Sequence, residues 1–235
     1  MLKISNFEVM GWEHAIRGMR NPMNSWEKSD SERKYENIRD SEGYLVIGPN
    51  DFDLMTRLRN AGTDHRKFMR MIAVYLDITA PLYWWKEFDT YKVGTVANSC
   101  STMHKIAEKE FTLEDFSCDK LMDNSGLELE FTSVENTIHL ARCGFDDILI
   151  TTINALNFAR EMYLETGEKC YWWQMIQLLP SSYNQKRTVM LNYEVLANIY
   201  KSRWNHKLDE WHTFCDWIEE LPYSELITGY EENEK

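Results

Sequence analysis

Three polar side chains in the C-terminal part of the sequence, Asn192, Asn198 and Arg203, have the types and spacing of a ligand-binding site. They fall among apolar residues in the segment 179–206, where a helix is predicted. Because 203 − 192 = 11 positions is close to three helical turns, Asn192 and Arg203 are predicted to lie nearly in line, with Leu196 between them. Polar groups on a buried stripe need partners, since burial without hydrogen bonds is costly.

Two interpretations of these side chains remain open on spacing alone. In the first, the asparagines bond nearby backbone and Arg203 pairs with an acid, so the stripe is structural. In the second, the side chains bind a ligand. Amides offer both donors and acceptors to a heterocycle, and a guanidinium favours an anionic or electron-rich partner.

The segment resembles the C-terminal signature of the flavin-dependent thymidylate synthases (ThyX-like proteins). In that family a Leu-Pro, a spacer, an Asn, a Leu, a second Asn and an Arg follow at fixed separations. The same separations here join Leu179-Pro180, Asn192, Leu196, Asn198 and Arg203. The order of upstream elements is also similar, with counterparts of a Gly-containing helix, a buried strand and an Ala-Pro helix at Leu54–Gly62, Met71–Ile78 and Ala80–Phe88.

The resemblance implies FAD as a cofactor and a nucleotide as a small-molecule ligand. In the family the two asparagines hold the flavin, and the arginine reaches flavin and nucleotide, so these roles fall to Asn192, Asn198 and Arg203. At the family's Arg-His-Arg motif and its following Ser, only Lys92 and Thr95 preserve charge and hydroxyl chemistry, which implies cofactor contacts for both. Ser101 is the implied substrate-binding serine. The resemblance also implies a homo-oligomer, specifically a tetramer.

Several cations of the family pattern are replaced in this sequence. The arginine before the Leu-Pro is replaced within Met175-Ile176-Gln177, and the arginine after the first asparagine is Glu194. A phosphate dianion would be poorly neutralised by the remaining groups, so ordinary dUMP methylation is not expected and no catalytic residue is assigned. The alternatives are a divergent flavin-dependent enzyme, a non-catalytic oligomeric binding or scaffold protein, and an acidic decoy for a nucleic-acid-binding protein.

Composition excludes several classes of protein. The net charge of −12 repels phosphate backbones and argues against non-specific nucleic-acid binding. Five scattered cysteines, with no CxxC pair, do not form a disulfide framework and fit a reducing cytoplasm. His206 and His212 are six positions apart rather than the four that would place them on one helical face, so no metal site is predicted. No signal peptide or apolar run of about 18 residues is seen.

The predicted fold is α+β: a single, mostly helical domain over 1–235 with a small mixed or antiparallel sheet. The polar segment 24–43 is predicted to be a mobile loop, and 230–235 a frayed acidic tail. Residues 91–102 are predicted to form a site-lining loop, and 127–131 a strand. A long helical stretch is predicted to start at Thr132 or Ser133 and to break near Gly144. The doublets Trp84-Trp85 and Trp172-Trp173 are predicted to serve core or subunit packing.

Overall fold

The computed structural model describes residues 1–35, 43–123, 126–132 and 137–229. Its α-helices are α1 Trp12–Arg20, α2 Pro49–Asn60, α3 Leu82–Phe88, α4 Phe145–Thr166, α5 Lys169–Leu178, α6 Tyr193–Arg203, α7 Asp209–Glu219 and α8 Glu225–Thr228. Its strands are β1 Lys3–Met10, β2 Glu32–Lys34, β3 Tyr44–Val46, β4 Ala73–Pro81, β5 Val96–Ser99, β6 Leu127–Thr132, β7 Thr137–Cys143 and β8 Asn184–Asn192. Short 3₁₀ helices occupy Asn21–Met23, Trp26–Lys28, Arg66–Met71 and Leu113–Asp115.

The strands form one four-stranded sheet and two hairpin-like pairs. The sheet has the order β1-β4-β8-β5. Strand β2 pairs antiparallel with β3, and β6 pairs antiparallel with β7 in a register that places Leu127 opposite Cys143. The mostly helical α+β class predicted from the sequence is confirmed.

The chain divides into two compact units, each assembled from separate stretches of sequence. The first unit comprises Met1, Thr79–Phe88 and Ser99–Arg187, and the second comprises Leu2–Ile78, Asp89–Asn98 and Thr188–Lys235. The organisation of 1–235 as a single domain therefore stays a prediction.

The core of the first unit lies against α4 and α5. Leu149, Ile153 and Leu156 of α4 share one buried cluster with Met175 of α5, as expected for apolar residues repeated at helical spacing. The Asn157 side chain accepts from the Phe111 N–H at 2.8 Å and donates to the Phe111 carbonyl at 2.9 Å, which satisfies the loop backbone at the edge of this cluster.

The aromatic doublets have different environments within the first unit. Trp84 and Trp85 are 0% and 1% exposed, so the predicted core packing of this doublet is confirmed. The Trp85 indole donates to the Gln185 carbonyl at 2.9 Å, and the Arg187 guanidinium lies 4.2 Å from its ring centroid. Trp173 is 42% exposed instead, so it does not belong to the core.

The core of the second unit surrounds α6 and the 3₁₀ helix Arg66–Met71. Both pack together, and α1 packs against the same 3₁₀ helix. Fully buried apolar side chains come from all of these elements and from α7: Ala15, Met69, Leu196, Ile199 and Trp211. Helix α2 begins at Pro49, and Gly62 follows its end with φ +98°, which are the positions that proline and glycine favour at the two ends of a helix.

Two predicted elements near the middle of the chain are wrong. No helix starts at Thr132, because Thr132 ends β6 and the chain returns in β7; Ser133 lies outside the described residues. The helix begins only at Phe145, after Gly144. The predicted loop 91–102 contains strand β5, which joins the four-stranded sheet beside β8. At β5 the distant strand β8 decides the conformation, and at β7 pairing with the neighbouring strand β6 does so.

The polar N-terminal segment contains more secondary structure than the sequence suggested. Within the predicted loop 24–43, Trp26–Lys28 forms a 3₁₀ helix and Glu32–Lys34 forms β2. Residues 36–42 of this segment and the tail 230–235 lie outside the described residues, so the mobility predicted for both stays a prediction.

Candidate functional site

Asn192 occupies the junction between β8 and α6. Its backbone is extended, with φ −139° and ψ 168°, and its Oδ1 accepts from the Val195 N–H at 3.1 Å. This is the N-cap geometry in which an asparagine oxygen satisfies one of the free N–H groups at a helix start. The sequence predicted that Asn192 lies on the helix, in line with Arg203. In the structure Asn192 lies immediately before the helix instead. Its Nδ2 donors remain for other partners.

A tight turn at residues 92–95 lies against the Asn192 amide. The Thr95 N–H donates to the Lys92 carbonyl at 3.4 Å, and Gly94 has φ +80°. A Cβ added at Gly94 would lie 3.0 Å from Asn192 Nδ2 and 3.1 Å from Val195 Cγ2. Glycine therefore serves both the backbone conformation and the close approach of the turn to α6.

We expect Gly94→Ala to lower the free energy of unfolding by about 1–3 kcal/mol, because a methyl group is forced into a left-handed conformation and onto Asn192. Urea unfolding measures this change. Gly62→Ala is the matched control, since Gly62 also has positive φ but has nothing within 4 Å of its added Cβ. An equal loss in both variants would show that contact with Asn192 carries no cost.

The Thr95 hydroxyl is a buried polar group that lacks a partner. Among the described residues, no hydrogen bond is made by Thr95 Oγ1, although this atom is inaccessible to solvent. A buried unsatisfied hydroxyl costs about 1–3 kcal/mol, and such groups in folded proteins call for an explanation. Lys92, by contrast, is exposed at the start of the same turn.

Arg203 is held at the end of α6 by aromatic side chains. Its Nε donates to the Tyr91 hydroxyl at 2.9 Å, and its guanidinium carbon lies 5.6 Å from the Tyr91 ring centroid and 4.8 Å from that of Trp211. Stacking on aromatic faces fixes the plane of a guanidinium and does not change its positive charge. Arg203 therefore has a defined orientation rather than that of a freely moving surface arginine.

Asn198 and Ser101 have surroundings that differ from the predicted ones. Asn198 is exposed rather than set among apolar neighbours, and its Oδ1 accepts from Arg66 Nη2 at 2.9 Å. Ser101 belongs to the first unit, where its Oγ accepts from the backbone N–H groups of Met103 at 3.3 Å and His104 at 3.0 Å. Asn192, Lys92, Thr95, Asn198 and Arg203 all belong to the second unit.

Glu194 is a buried carboxylate that pairs with two arginines, an arrangement that the sequence did not reveal. It is 9% exposed, its Oε1 lies 3.4 Å from Arg66 Nε and 3.2 Å from Arg70 Nη2, and its Oε2 accepts from Arg70 Nε. Hydrogen bonding to Glu194 is the main cause that raises the pKa of Arg70. The arginines lie 128 and 124 residues before Glu194 in the chain, so no local pattern could link them. One carboxylate therefore pairs with two guanidinium groups and offsets one of their two positive charges.

The chemistry of the site suits a neutral polar heterocycle better than a phosphate. The Nδ2 donors of Asn192 and the Thr95 hydroxyl match carbonyl and hydroxyl groups of the kind that a flavin carries. A phosphate dianion needs several cations, and Arg66 and Arg70 are already paired with Glu194. The residues therefore fit a flavin, and they provide less well for a nucleotide phosphate.

The fold is that of the flavin-dependent thymidylate synthases. Thymidylate synthase X (ThyX) from Helicobacter pylori, in a structure with FAD and dUMP, matches with a TM-score of 0.61 at 15% identity over 97% of both chains. The UMP/dUMP methylase PolB from Streptomyces cacaoi, bound with 5-Br dUMP, matches with a TM-score of 0.52 at 12% identity over 94% of this chain and 88% of that one. No family model and no curated protein matches the sequence.

Within 1–35, 43–123, 126–132 and 137–229, no group of three or more His, Cys, Asp or Glu side chains is placed to hold a metal ion. None of the helices in that part of the chain is long and apolar enough to cross a membrane.

Proposed function

We propose that this chain is a divergent relative of the flavin-dependent thymidylate synthases that binds FAD and a nucleotide. The observation that carries the proposal is the buried hydroxyl of Thr95, which has no partner among the described residues and lies in the turn that contacts Asn192. A ligand with an acceptor at this position would satisfy both the hydroxyl and the asparagine amide. The shared fold of the FAD-containing Helicobacter pylori enzyme supports this choice of ligand.

The proposed roles follow from the donor set. Asn192 and Thr95 bind polar atoms of the flavin, while Asn198 and Lys92 supply contacts nearer to solvent. Arg203, oriented by Tyr91, reaches both cofactor and nucleotide. A bound flavin would supply hydride chemistry, and the protein would orient the reactants and exclude water. Because Arg66 and Arg70 are occupied by Glu194, ordinary methylation of dUMP is not part of the proposal.

The absorption spectrum of the protein titrated with FAD tests the proposal. We expect wild-type protein to retain flavin after desalting, with perturbed visible bands, and Thr95→Val to weaken FAD binding by about tenfold, because one buried hydrogen bond is lost. In the FAD-free protein the same variant is expected to match or exceed wild-type stability, since valine removes an unsatisfied hydroxyl without removing volume.

Thr213→Val is the matched control for the loss of a hydroxyl, since Thr213 lies on α7, where it donates to the Asp209 carbonyl at 3.3 Å. It should leave FAD affinity unchanged. Protein that stays colourless with excess FAD would contradict the proposal. So would a Thr95→Val variant that loses stability without FAD while it binds the flavin normally.

A second candidate function is a non-catalytic oligomeric binding or scaffold protein in the cytoplasm, for which a homotetramer is the proposed assembly. The pairing of Arg66 and Arg70 with Glu194 favours it, because the carboxylate reduces the positive charge available to a substrate phosphate. Val93 and Trp204 are 92% and 61% exposed and would suit a subunit interface. The five cysteines form no disulfide among the described residues, which is compatible with a reducing compartment. Light scattering tests the assembly, and flavin reduction by NADPH followed by oxidation with a nucleotide would exclude the non-catalytic role.

A further inference from the structure

Helix α4 carries apolar side chains on two sides, one of which is buried in the first unit while the other is exposed. Leu149, Ile153 and Leu156 belong to the buried cluster that α4 shares with α5. Ile148 and Phe158 are 37% and 61% exposed instead. A surface helix usually turns polar residues away from the core, and contiguous exposed apolar surface marks an interaction site. The exposed side of α4 is therefore a candidate docking surface.

The exposed side forms a continuous apolar stripe with the spacing of a helix–helix seam. The members of this α4 stripe follow one another at alternating separations of three and four positions: Ile148, Thr151, Ala155, Phe158 and Met162. Met162 is partly buried, and the other four are exposed. A repeat of 3.5 residues keeps these side chains on one side of the helix. Since the stripe covers 162 − 148 = 14 positions, it is about 21 Å long.

The single hydroxyl of the α4 stripe is satisfied within the helix. Thr151 Oγ1 donates to the Asp147 carbonyl, four residues earlier, at 2.8 Å. A threonine that bonds its own helix in this way needs no outside partner, and its methyl group stays available for packing. An apolar surface can therefore cover the stripe without leaving a buried polar group unsatisfied.

Carboxylates line one edge of the α4 stripe. Asp147, Glu161 and Glu165 are exposed. Asp147 and Glu161 each stand directly before an apolar member of the stripe, and they are 161 − 147 = 14 positions apart, which is two heptads. In paired helices, residues at this position flank the apolar seam and select the partner through their charge. The edge therefore favours a partner that carries cations.

The basic residues of α4 and of the adjoining sequence do not offset this edge. Arg160 is the one basic residue of α4, and its Nε donates at 2.9 Å to the carbonyl of Ala107, which packs against the buried cluster. At the start of α5, the Lys169 ammonium lies 5.8 Å from the Trp173 ring centroid. Over the sequence 127–169, three basic residues stand against eight acidic ones, so the net charge is 3 − 8 = −5.

We propose that the α4 stripe binds an amphipathic helix of a partner protein whose polar face is rich in lysine and arginine. Apolar side chains of such a helix would pack between those of the stripe, as in other pairs of helices that join through an apolar seam. Its cations would lie opposite Asp147, Glu161 and Glu165, which fixes the orientation of the partner. This surface goes beyond the proposed flavin function and shares no residue with it.

The same carboxylates disfavour the other occupants of an apolar face. A second copy packed antiparallel along α4 would bring Asp147 of one copy near Glu161 of the other, and like charges at such a seam are unfavourable. Anionic lipid surfaces and nucleic acids recruit cationic proteins, so both would be repelled from this edge. A basic helix is the occupant that satisfies both the apolar stripe and its acidic edge.

Fluorescence anisotropy with a labelled peptide of two repeats of Leu-Lys-Lys-Leu-Leu-Lys-Leu tests the proposal. We expect saturable binding of this peptide, and at least tenfold weaker binding of the same peptide with glutamate in place of lysine. Phe158→Ser should weaken binding about tenfold, because large aromatic side chains dominate such interfaces. Glu161→Gln combined with Glu165→Gln should weaken it about fivefold, since exposed charge pairs contribute modestly. Circular dichroism checks that both variants are folded.

Two control variants separate the α4 stripe from general attraction to an acidic chain. Met23→Ser removes an apolar side chain that is 81% exposed outside α4. Glu8→Gln combined with Glu27→Gln makes the same change in net charge, −12 + 2 = −10, at exposed positions outside α4. Both should bind the lysine peptide as the wild type does.

Three results would overturn the proposal. The first is no saturable binding at high micromolar concentrations of the lysine peptide. The second is equal weakening by the α4 variants and their controls, which would show that only the overall charge attracts the peptide. The third is a fall in particle mass by light scattering for Phe158→Ser relative to wild type, which would show that a second copy of the chain covers the stripe.

Discussion

Asp51→Asn is expected to lower the free energy of unfolding by about 3–5 kcal/mol, because it leaves the buried Arg20 guanidinium without its counter-charge. Asp51 is fully buried and Arg20 is 4% exposed, so water cannot replace the lost partner. The same change weakens the bonds that hold Ser29 and Ser31 against the start of α2. Urea denaturation followed by circular dichroism measures the loss.

The control for this variant is Asp53→Asn on the same helix. Asp53 is 64% exposed and pairs with Arg57 at 2.8 Å, and exposed pairs of this kind contribute about 0–1 kcal/mol. The control should therefore change stability by less than about 1 kcal/mol. Similar losses in the two variants would contradict the assignment of the Asp51–Arg20 pair as a buried, structurally required contact.

The stabilising effect of Asp51 is also expected to depend on pH. Burial alone would raise the pKa of Asp51, but the hydrogen bonds from Ser31, Ser29 and Arg20 together outweigh burial and lower this pKa from 3.8. A carboxylate with a lower pKa in the folded state contributes stability that is fully present above the unfolded value. This contribution is lost as the pH falls below 3.8 through the folded pKa. The stability difference between wild type and Asp51→Asn should therefore shrink in that acidic range.

Arg203→Lys is expected to weaken FAD binding by about tenfold to a hundredfold, if the proposed flavin site is correct. Lysine keeps the positive charge but loses the planar fork, the hydrogen bond to Tyr91 and the stacking over Trp211. Hydrogen bonds to charged groups contribute about 1.5–3 kcal/mol, which gives this range of affinity. Visible absorption during FAD titration measures it.

Arg57→Lys provides the matched control for this second prediction, because it makes the same chemical change at an exposed position on α2. It should bind FAD as the wild type does. If Arg203→Lys also binds FAD normally while circular dichroism shows an intact fold, Arg203 acts through packing alone and its proposed ligand contact is wrong.

Local signals in the sequence predicted several elements well. The proline and glycine that bracket α2 act within one or two turns, so they could be recognised without knowledge of the fold. The mostly apolar run of β4, in which Asp77 is the charged exception, was recognised for the same reason, although Pro81 ends this strand rather than opening the next helix. The spacing from Leu179-Pro180 to Arg203 predicted the fold, which the structural matches confirm.

Features that depend on distant partners could not be predicted. The strand β5 exists through its place beside β8 in the sheet, and its sequence alone favoured a loop. We predicted that Asn192 lies on the helix, because an asparagine side chain does not indicate where the preceding strand β8 ends. From the sequence, Glu194 was recognised only as the replacement of an arginine of the family pattern. Its ion pairs could not be predicted, because its partners Arg66 and Arg70 are remote in the chain. The unsatisfied Thr95 hydroxyl likewise becomes visible only in three dimensions.

The discontinuous make-up of the two units has a consequence for synthesis on the ribosome. The last stretch of the first unit ends at Arg187, whereas the second unit still requires Thr188–Lys235, which carries α6 and α7. The early stretch Leu2–Ile78 therefore cannot complete its core until α6 has been synthesised. More than a hundred residues are added to the chain in the meantime. Contacts this remote in sequence form slowly. During translation we therefore expect the N-terminal stretch to expose apolar surface until α6 and α7 have been synthesised.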